Sequence, residues 1–340
     1  GFLRSAIDAL PTFISQSVLM QNFKGMRFRW TPRQMNLGAE LTKSEDARRR
    51  FQTSTIQATD DAVIPTVNLQ NALRPQAGFQ LQPFPSIVWG FNFQSIRDLV
   101  DPALRASQPA GQQQLEQASR TFLGMDVGWE TNRNVRTDLS WRPRLASWFD
   151  TDFAMTTNYG TNRNVSYIQD LSGDTTLVRD LSLQRDLGFQ FDVRPDQFLT
   201  AFGIAGSQEA TGMARSLRAF WDRLAPVRID WRKEVNSTYD RRDLAPNLWD
   251  QLVLVGFDKM RVMGADTASA AGDARAWSVD GGYLFPLGFD LDVGYSSSDR
   301  RTFTGLNERR VVDREWPALN VRWRNVPIPG FAENLLRDIN

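Results

Sequence analysis

The chain has 340 residues, with 40 Lys plus Arg against 39 Asp plus Glu, and neither histidine nor cysteine. That balance argues against a nucleic-acid partner, whose binders carry a marked basic excess. Without His and Cys no Ser-His-Asp or Cys-His unit can be built, zinc, haem, copper and iron–sulfur sites lose their usual ligands, and no disulfide can form, so the expectation is a non-enzyme with no cofactor and no metal.

The segment 1–24 is apolar but interrupted, with a short helix candidate at Phe2–Leu10 stopped by Pro11. Phe2, Leu3, Ile7, Leu10, Phe13, Ile14 and Leu19 make it the candidate arm for docking on a membrane or a partner. It opens at Gly1 with no basic n-region and apolar h-region, which fits a trimmed chain or a piece of a longer precursor. No run reaches the roughly 18 apolar residues of a spanning helix, so contact with a membrane core falls to strands or to a surface helix.

From 25 to 325 the dominant period is two. Alternating runs lie at Met26–Trp30, Met35–Leu41, Ile87–Phe93, Leu123–Trp129, Val135–Trp141, Leu187–Val193, Val227–Trp231, Phe289–Tyr295 and Leu319–Trp323. Successive side chains of a strand face opposite sides, so each run predicts a strand with one apolar and one charged or small face. Turns are expected at Asp98–Pro102, Thr131–Asn134, Ser172–Asp174 and Pro286–Gly288. The letters Thr-Asn-Arg-Asn-Val occur at 131–135 and again at 161–165, which reads as hairpin redundancy. Ala103–Gln117 reads as a polar loop or weak helix, Gln208–Leu224 as a helix ended by Pro226, and Gly264–Ala274 as a long loop. The residues 326–340 form a tail.

The expected fold is all-β: roughly a dozen strands in a large antiparallel meander, with one or two short helices. Two architectures fit. A soluble sandwich would turn the apolar faces inward; an outer-membrane barrel, whole or partial, would turn them to lipid. Trp30, Trp129, Trp141, Trp148, Trp231, Trp316 and Trp323 lie near strand ends and suit an interfacial aromatic girdle. All but Trp316 join the N-terminal arm as interaction candidates.

Specific segments then resemble a known family. They are Trp89–Leu99, with its Ser-Ile-Arg-Asp-Leu ending, then Phe122–Glu130 followed by Leu139–Pro143, and later Leu284–Leu291 and Arg314–Pro317. In order and spacing they are similar to the late barrel region of SprA-related proteins, over about residues 25–325. That resemblance implies an antiparallel outer-membrane sheet. SprA-type proteins are very large translocon barrels of type IX secretion, also tied to gliding motility. A dozen strands cannot reproduce so wide a pore, so the resemblance implies a fragment or shortened relative.

Chemistry-bearing motifs are few. There is no Gly-rich phosphate loop. Asp60-Asp61 and Asp290/Asp292 read as turn or solvated-face residues, and Asp170–Asp174 lacks the spaced oxygens of a calcium loop. The pairs within Arg48–Arg50, Arg241-Arg242 and Arg309-Arg310 read as loop charge balanced by Glu45/Asp46, Asp240/Asp243 and Glu308. The sequence therefore predicts a structural or interaction protein of the bacterial cell envelope, periplasmic or outer-membrane, that docks to a membrane or membrane protein complex. Its expected partners are other protein subunits of such a complex, with lipid as a further one. Two alternatives stand beside it: an accessory subunit stabilising a photosynthetic or respiratory assembly, and a piece of a secretion barrel.

Overall fold

The computed structural model describes residues 29, 31–48, 66–105, 109–122, 125–146, 148–163, 178–201, 219–242, 244–285 and 288–323. The N-terminal docking arm, Trp30, the run Met26–Trp30, the turn Ser172–Asp174, the Asp60-Asp61 and Asp170–Asp174 carboxylates and the tail lie wholly or mainly outside the described residues.

Ten long strands follow one another as an antiparallel meander: β1 (Gln34–Arg48), β2 (Thr66–Phe84), β3 (Ile87–Asp98), β4 (Trp129–Trp141), β5 (Phe149–Asn162), β6 (Arg179–Val193), β7 (Val227–Arg242), β8 (Ala270–Phe285), β9 (Phe289–Thr304) and β10 (Asn307–Trp323). A short strand, Arg144–Ala146, also pairs with β5. The expected all-β meander is therefore what the chain forms. Among the described residues short helices sit in the connections, including α1 (Pro102–Arg105), α2 (Pro109–Ala118), α3 (Pro195–Ala201), α4 (Leu248–Gln251) and α5 (Phe257–Arg261). Strands form because aromatic and β-branched side chains recur on alternate residues and pack on a pleated surface. Pro75 is tolerated inside β2 because the ladder to β3 lapses between Leu73 and Gln76.

No second sheet packs on the apolar face of this one among the described residues; the other sheets are two hairpins of two-residue strands, Thr121–Phe122 with Met125–Asp126 and Val262–Met263 with Asp266–Thr267. The enclosed core is small and lies at one end. Val135, Tyr159, Leu181, Leu183, Val235, Tyr239 and Ala271 of the sheet pack under Leu244, Val253, Met260 and Ala268 of the connection 243–269. Polar bonds hold that connection down as a strap. Tyr239 donates its hydroxyl to the Met260 carbonyl at 2.8 Å, and Arg185 Nη1 donates to the carbonyls of Val255 at 2.9 Å and Val253 at 3.2 Å.

Several local expectations are overturned. The run Leu123–Trp129 is no single strand: β4 starts only at Trp129, after Gly128 turns the chain with φ 63. A Cβ on Gly128 would lie 2.0 Å from the Asp98 carbonyl oxygen, so the site admits no side chain. Thr131–Asn134 is not a turn but lies inside β4, where the pairing with β3 slips at Ile96/Arg97. The repeated letters face each other across adjacent strands, with Asn132 opposite Asn162 and Arg163 N donating to Thr131 O at 2.7 Å. Gly264–Ala274 is not a long loop, because β8 begins at Ala270 and Ala271 is buried. Gly272 there faces Asn236 of β7, whose Oδ1 would lie 2.9 Å from an added Cβ, an inter-strand fit that single-sequence composition does not show. Ala103–Gln117 resolves into α1 and most of α2. Of the helix expected at Gln208–Leu224 only 219–221 is described as helical, and Leu224 bridges to Tyr283.

Candidate membrane-facing surface

The strand registers assign every side chain of the sheet to one of two faces. One rung runs Trp141, Phe153, Phe189, Trp231, Trp277. The next residues along the same strands alternate to the other face. One face thus collects Met35, Leu37, Leu81, Phe91, Phe93, Leu139, Met155, Leu187, Phe191, Ile229, Val279, Leu291, Val293, Leu319 and Val321. The opposite face collects Asn36, Gly90, Asn92, Arg136, Asp138, Thr156, Asp186, Gly188, Gln190, Asp230, Arg232, Asp280, Asp292 and Gly294.

On the polar face charges are paired along and across strands. Arg136 Nε meets Asp138 Oδ2 at 2.9 Å, Arg228 Nε meets Asp192 Oδ1 at 2.9 Å, and Gln190 Nε2 donates to Asp192 Oδ2 at 2.8 Å. Arg142 and Arg194, at the strand ends, meet Asp152 and Asp150. Several carboxylates of this face have basic, amide or hydroxyl neighbours, but Asp186 lies opposite Glu234, and burial followed by that carboxylate raises its pKa; among the described residues no group of carboxylates is disposed to hold a metal ion.

The apolar region is a band, and it is inclined. The rung through Leu37, in the middle of the apolar run of β1, passes Ala77, Phe93, Val135, Tyr159, Leu183, Ser237, Ala271 and Phe303 and ends at Glu308 of β10. The apolar run of β10 lies further on, at Trp316–Trp323. The band's centre thus climbs about eleven residues over nine strand-to-strand steps. With about 3.3 Å per residue and about 4.8 Å per strand, that is about 36 Å along the strands over about 43 Å across them, an inclination of about 40°.

Aromatic rings border the band. Trp231, Trp277, Tyr295 and Trp316 lie along one border, with centroids 4.7 Å apart for Trp277–Tyr295 and 5.7 Å for Tyr295–Trp316. Trp141, Trp148, Phe285 and Trp323 lie along the other; Trp148 packs edge-on to Phe198, which stacks on Trp221. Trp141 and Trp323 are exposed, Trp323 by 53 %. Trp129 departs from the expectation: at 1 % exposure it is sealed inside the chain and presents nothing to a partner. Trp231 and Trp148 are half-buried by their ring neighbours. Reading the sequence for strand-end tryptophans misses Trp277, because its place beside Trp231 is fixed by the β7–β8 register.

Toward the Trp231–Trp277 border lie the strand ends at 48 and 66, 98 and 129, 162 and 179, 242 and 270, and 304 and 307; toward the other lie those at 84 and 87, 141 and 149, 193 and 227, and 285 and 289. At the first of these rims Glu130 accepts from Arg133 through both oxygens, at 2.7 and 2.6 Å, and from Ser95 Oγ at 2.9 Å. Arg133 Nη1 reaches Gln251 of the strap at 2.9 Å. Arg97 donates to the carbonyls of Val127 and Gly128. Arg163, just past β5, is pushed down to about 10 by burial and then by the neighbouring Arg179. The arginine pairs also meet acids distant in sequence: Arg242 faces Asp266 of the 262–267 hairpin at 3.7 Å and Arg310 faces Asp299 of β9 at 2.7 Å, with the expected Glu308 also acting on Arg310. No helix among the described residues is long and apolar enough to cross a membrane.

No protein-family model matches this chain, and no curated protein matches it.

Proposed function

We propose that this chain is a non-enzymatic structural element of the bacterial outer membrane: a stretch of barrel wall whose aromatic-bordered face meets lipid and whose polar face meets an aqueous interior. The inclination of the apolar band carries this reading. A bilayer is a flat slab, so in a wall of tilted strands the apolar residues drift from strand to strand by an amount set by the tilt. A drift equivalent to about 40° falls within the 35–45° tilt of membrane barrels. The aromatic borders support the same reading, since such barrels have aromatic girdles. The SprA-like motifs agree with it and would place the wall in a secretion barrel.

The chain has no cysteine, so single cysteines can be introduced and spin-labelled without background. Labels walked along residues 290–296 of β9, in the chain reconstituted into phospholipid vesicles, are expected to alternate. Positions 291, 293 and 295 should be reached by oxygen, and positions 290, 292, 294 and 296 by a water-soluble nickel chelate. Equal chelate access to both sets would sink the lipid-facing reading. Shielding of the odd set from both reagents, only in the company of another protein, would favour the accessory-subunit alternative.

A further inference from the structure

We infer that the strap 243–269 is an interfacial anchor that seats the rim of the wall in lipid headgroups, an inference that rests on the lipid-facing reading above. The strap does not lie on the polar side or stand away from the sheet. It is folded down on the apolar face, where Leu244, Val253, Met260 and Ala268 close the core. Having spent those residues inward, it still turns large apolar side chains outward: Leu248 is 65 % exposed, Trp249 62 % and Leu254 41 %. Short surface helices at a sheet's rim ordinarily turn charge to water; here the outward apolar groups stand on the same side of the sheet as the apolar band.

The geometry between strap and band is that of a membrane interface. Val235 and Asp273 lie at the strap's edge, and four residues along the same strands are Trp231 and Trp277. At about 3.3 Å per residue that separation is about 13 Å along the strands, or about 10 Å along the normal at an inclination of about 40°, so the strap's near edge meets the outer side of a headgroup layer about 5–8 Å deep. The intervening positions are Lys233 and Arg275, both turned to Asp273, at 3.9 and 3.1 Å. Long cations at that level suit headgroups, and an indole with an apolar body and polar tip suits them as well.

The backbone fixes the outward pose. Val253 holds φ 53, a left-handed conformation that a β-branched residue adopts only under constraint. Its burial and the hydrogen bond from Arg185 to its carbonyl supply that constraint. Across this turn Leu254 N donates back to Trp249 O at 3.0 Å, so Trp249 and Leu254 are tied into one knuckle. A capping box between Asn247 and Asp250 holds the start of α4.

The test uses spin labels at W249C, at V293C in the band and at S296C on the polar face, in vesicles of phosphatidylcholine with phosphatidylglycerol. V293C is expected deep in the acyl region, and W249C at headgroup depth with at least about threefold less chelate access than S296C. L254C gives a second reading from the same knuckle should W249C fail to fold. If W249C and L254C are as open to the chelate as S296C while V293C stays deep, the anchor is overturned and the lipid-facing wall stands. If V293C is open too, the wall reading itself fails.

Discussion

Glu130, Arg133 and Ser95 show what a strand end needs where it leaves the apolar band. The carboxylate has only small exposure, so its charge survives there through three short hydrogen bonds. Removing one partner of a buried pair costs about 3–5 kcal/mol. Glu130→Gln, in a site still partly wet, is expected to cost about 2 kcal/mol in urea unfolding of the reconstituted chain, and Glu130→Gln with Arg133→Met less than the sum of the two. Val253 sets two effects against each other. Losing a fully buried Val costs about 2 kcal/mol, while relief of the left-handed strain returns about 1–3 kcal/mol. Val253→Gly should therefore leave stability within about 1 kcal/mol, whereas Val235→Ala, also fully buried but with ordinary backbone, should lose about 2 kcal/mol. Arg163 offers a sign test. Its pKa is lowered on folding, so the folded state is penalised while the side chain is charged, fully below about pH 10 and progressively less above it. Arg163→Gln is accordingly expected to raise the unfolding midpoint at pH 8, with the advantage shrinking as the pH climbs past about 10.

For the strands, the period of two carries most of the information. It predicts where apolar runs fall, because alternation is a property of consecutive residues. Registers and joints are another matter. Thr131–Asn134 has turn letters yet is strand, since Asn132 and Arg133 find partners on both sides, at Ile96 and at Asn162 and Thr161. Gly264–Ala274 has loop composition yet enters β8, since Ala270–Ala274 find ladder partners on both β7 and β9. Pairing partners far away in sequence outweigh local preference in both places. The two faces make a paired prediction within β9: Leu291→Arg, at the middle of the band, is expected to cost about 2–4 kcal/mol in a bilayer, and Ser296→Arg, on the polar face, less than about 1 kcal/mol. Equal costs measured by urea titration in vesicles would contradict the assignment of faces.

Taken as a whole, the molecule is a sheet with its enclosed core confined to one end and a broad apolar face beyond it. Burial of apolar surface is what stabilises a fold in water, and here, among the described residues, the cover of the ten-strand face is confined to the strap at one end and to the ring contacts of Phe198 and Phe220 with Trp148 and Tyr283 at the other. The proposed lipid-facing wall would resolve that imbalance, and it fixes an orientation to test. Polarised infrared spectra of the chain in oriented bilayers should give a strand tilt near 40° from the membrane normal. Strands lying flat in the membrane plane would refute the inclined band as a record of bilayer geometry.

The sequence by itself determined the class of fold, the meander order and the polarity of most strands, though not of β2 or β5, because those follow from residue types repeating every second position. It also supplied the strand-end tryptophans at 141, 231 and 323 that border the band. Tertiary structure alone decided that Trp129 is sealed inside, that Trp277 stands beside Trp231, that the strap turns Trp249 outward, and that the apolar runs line up on an incline. Each of those is a relation between strands, set by hydrogen-bond register over distances that no local pattern spans.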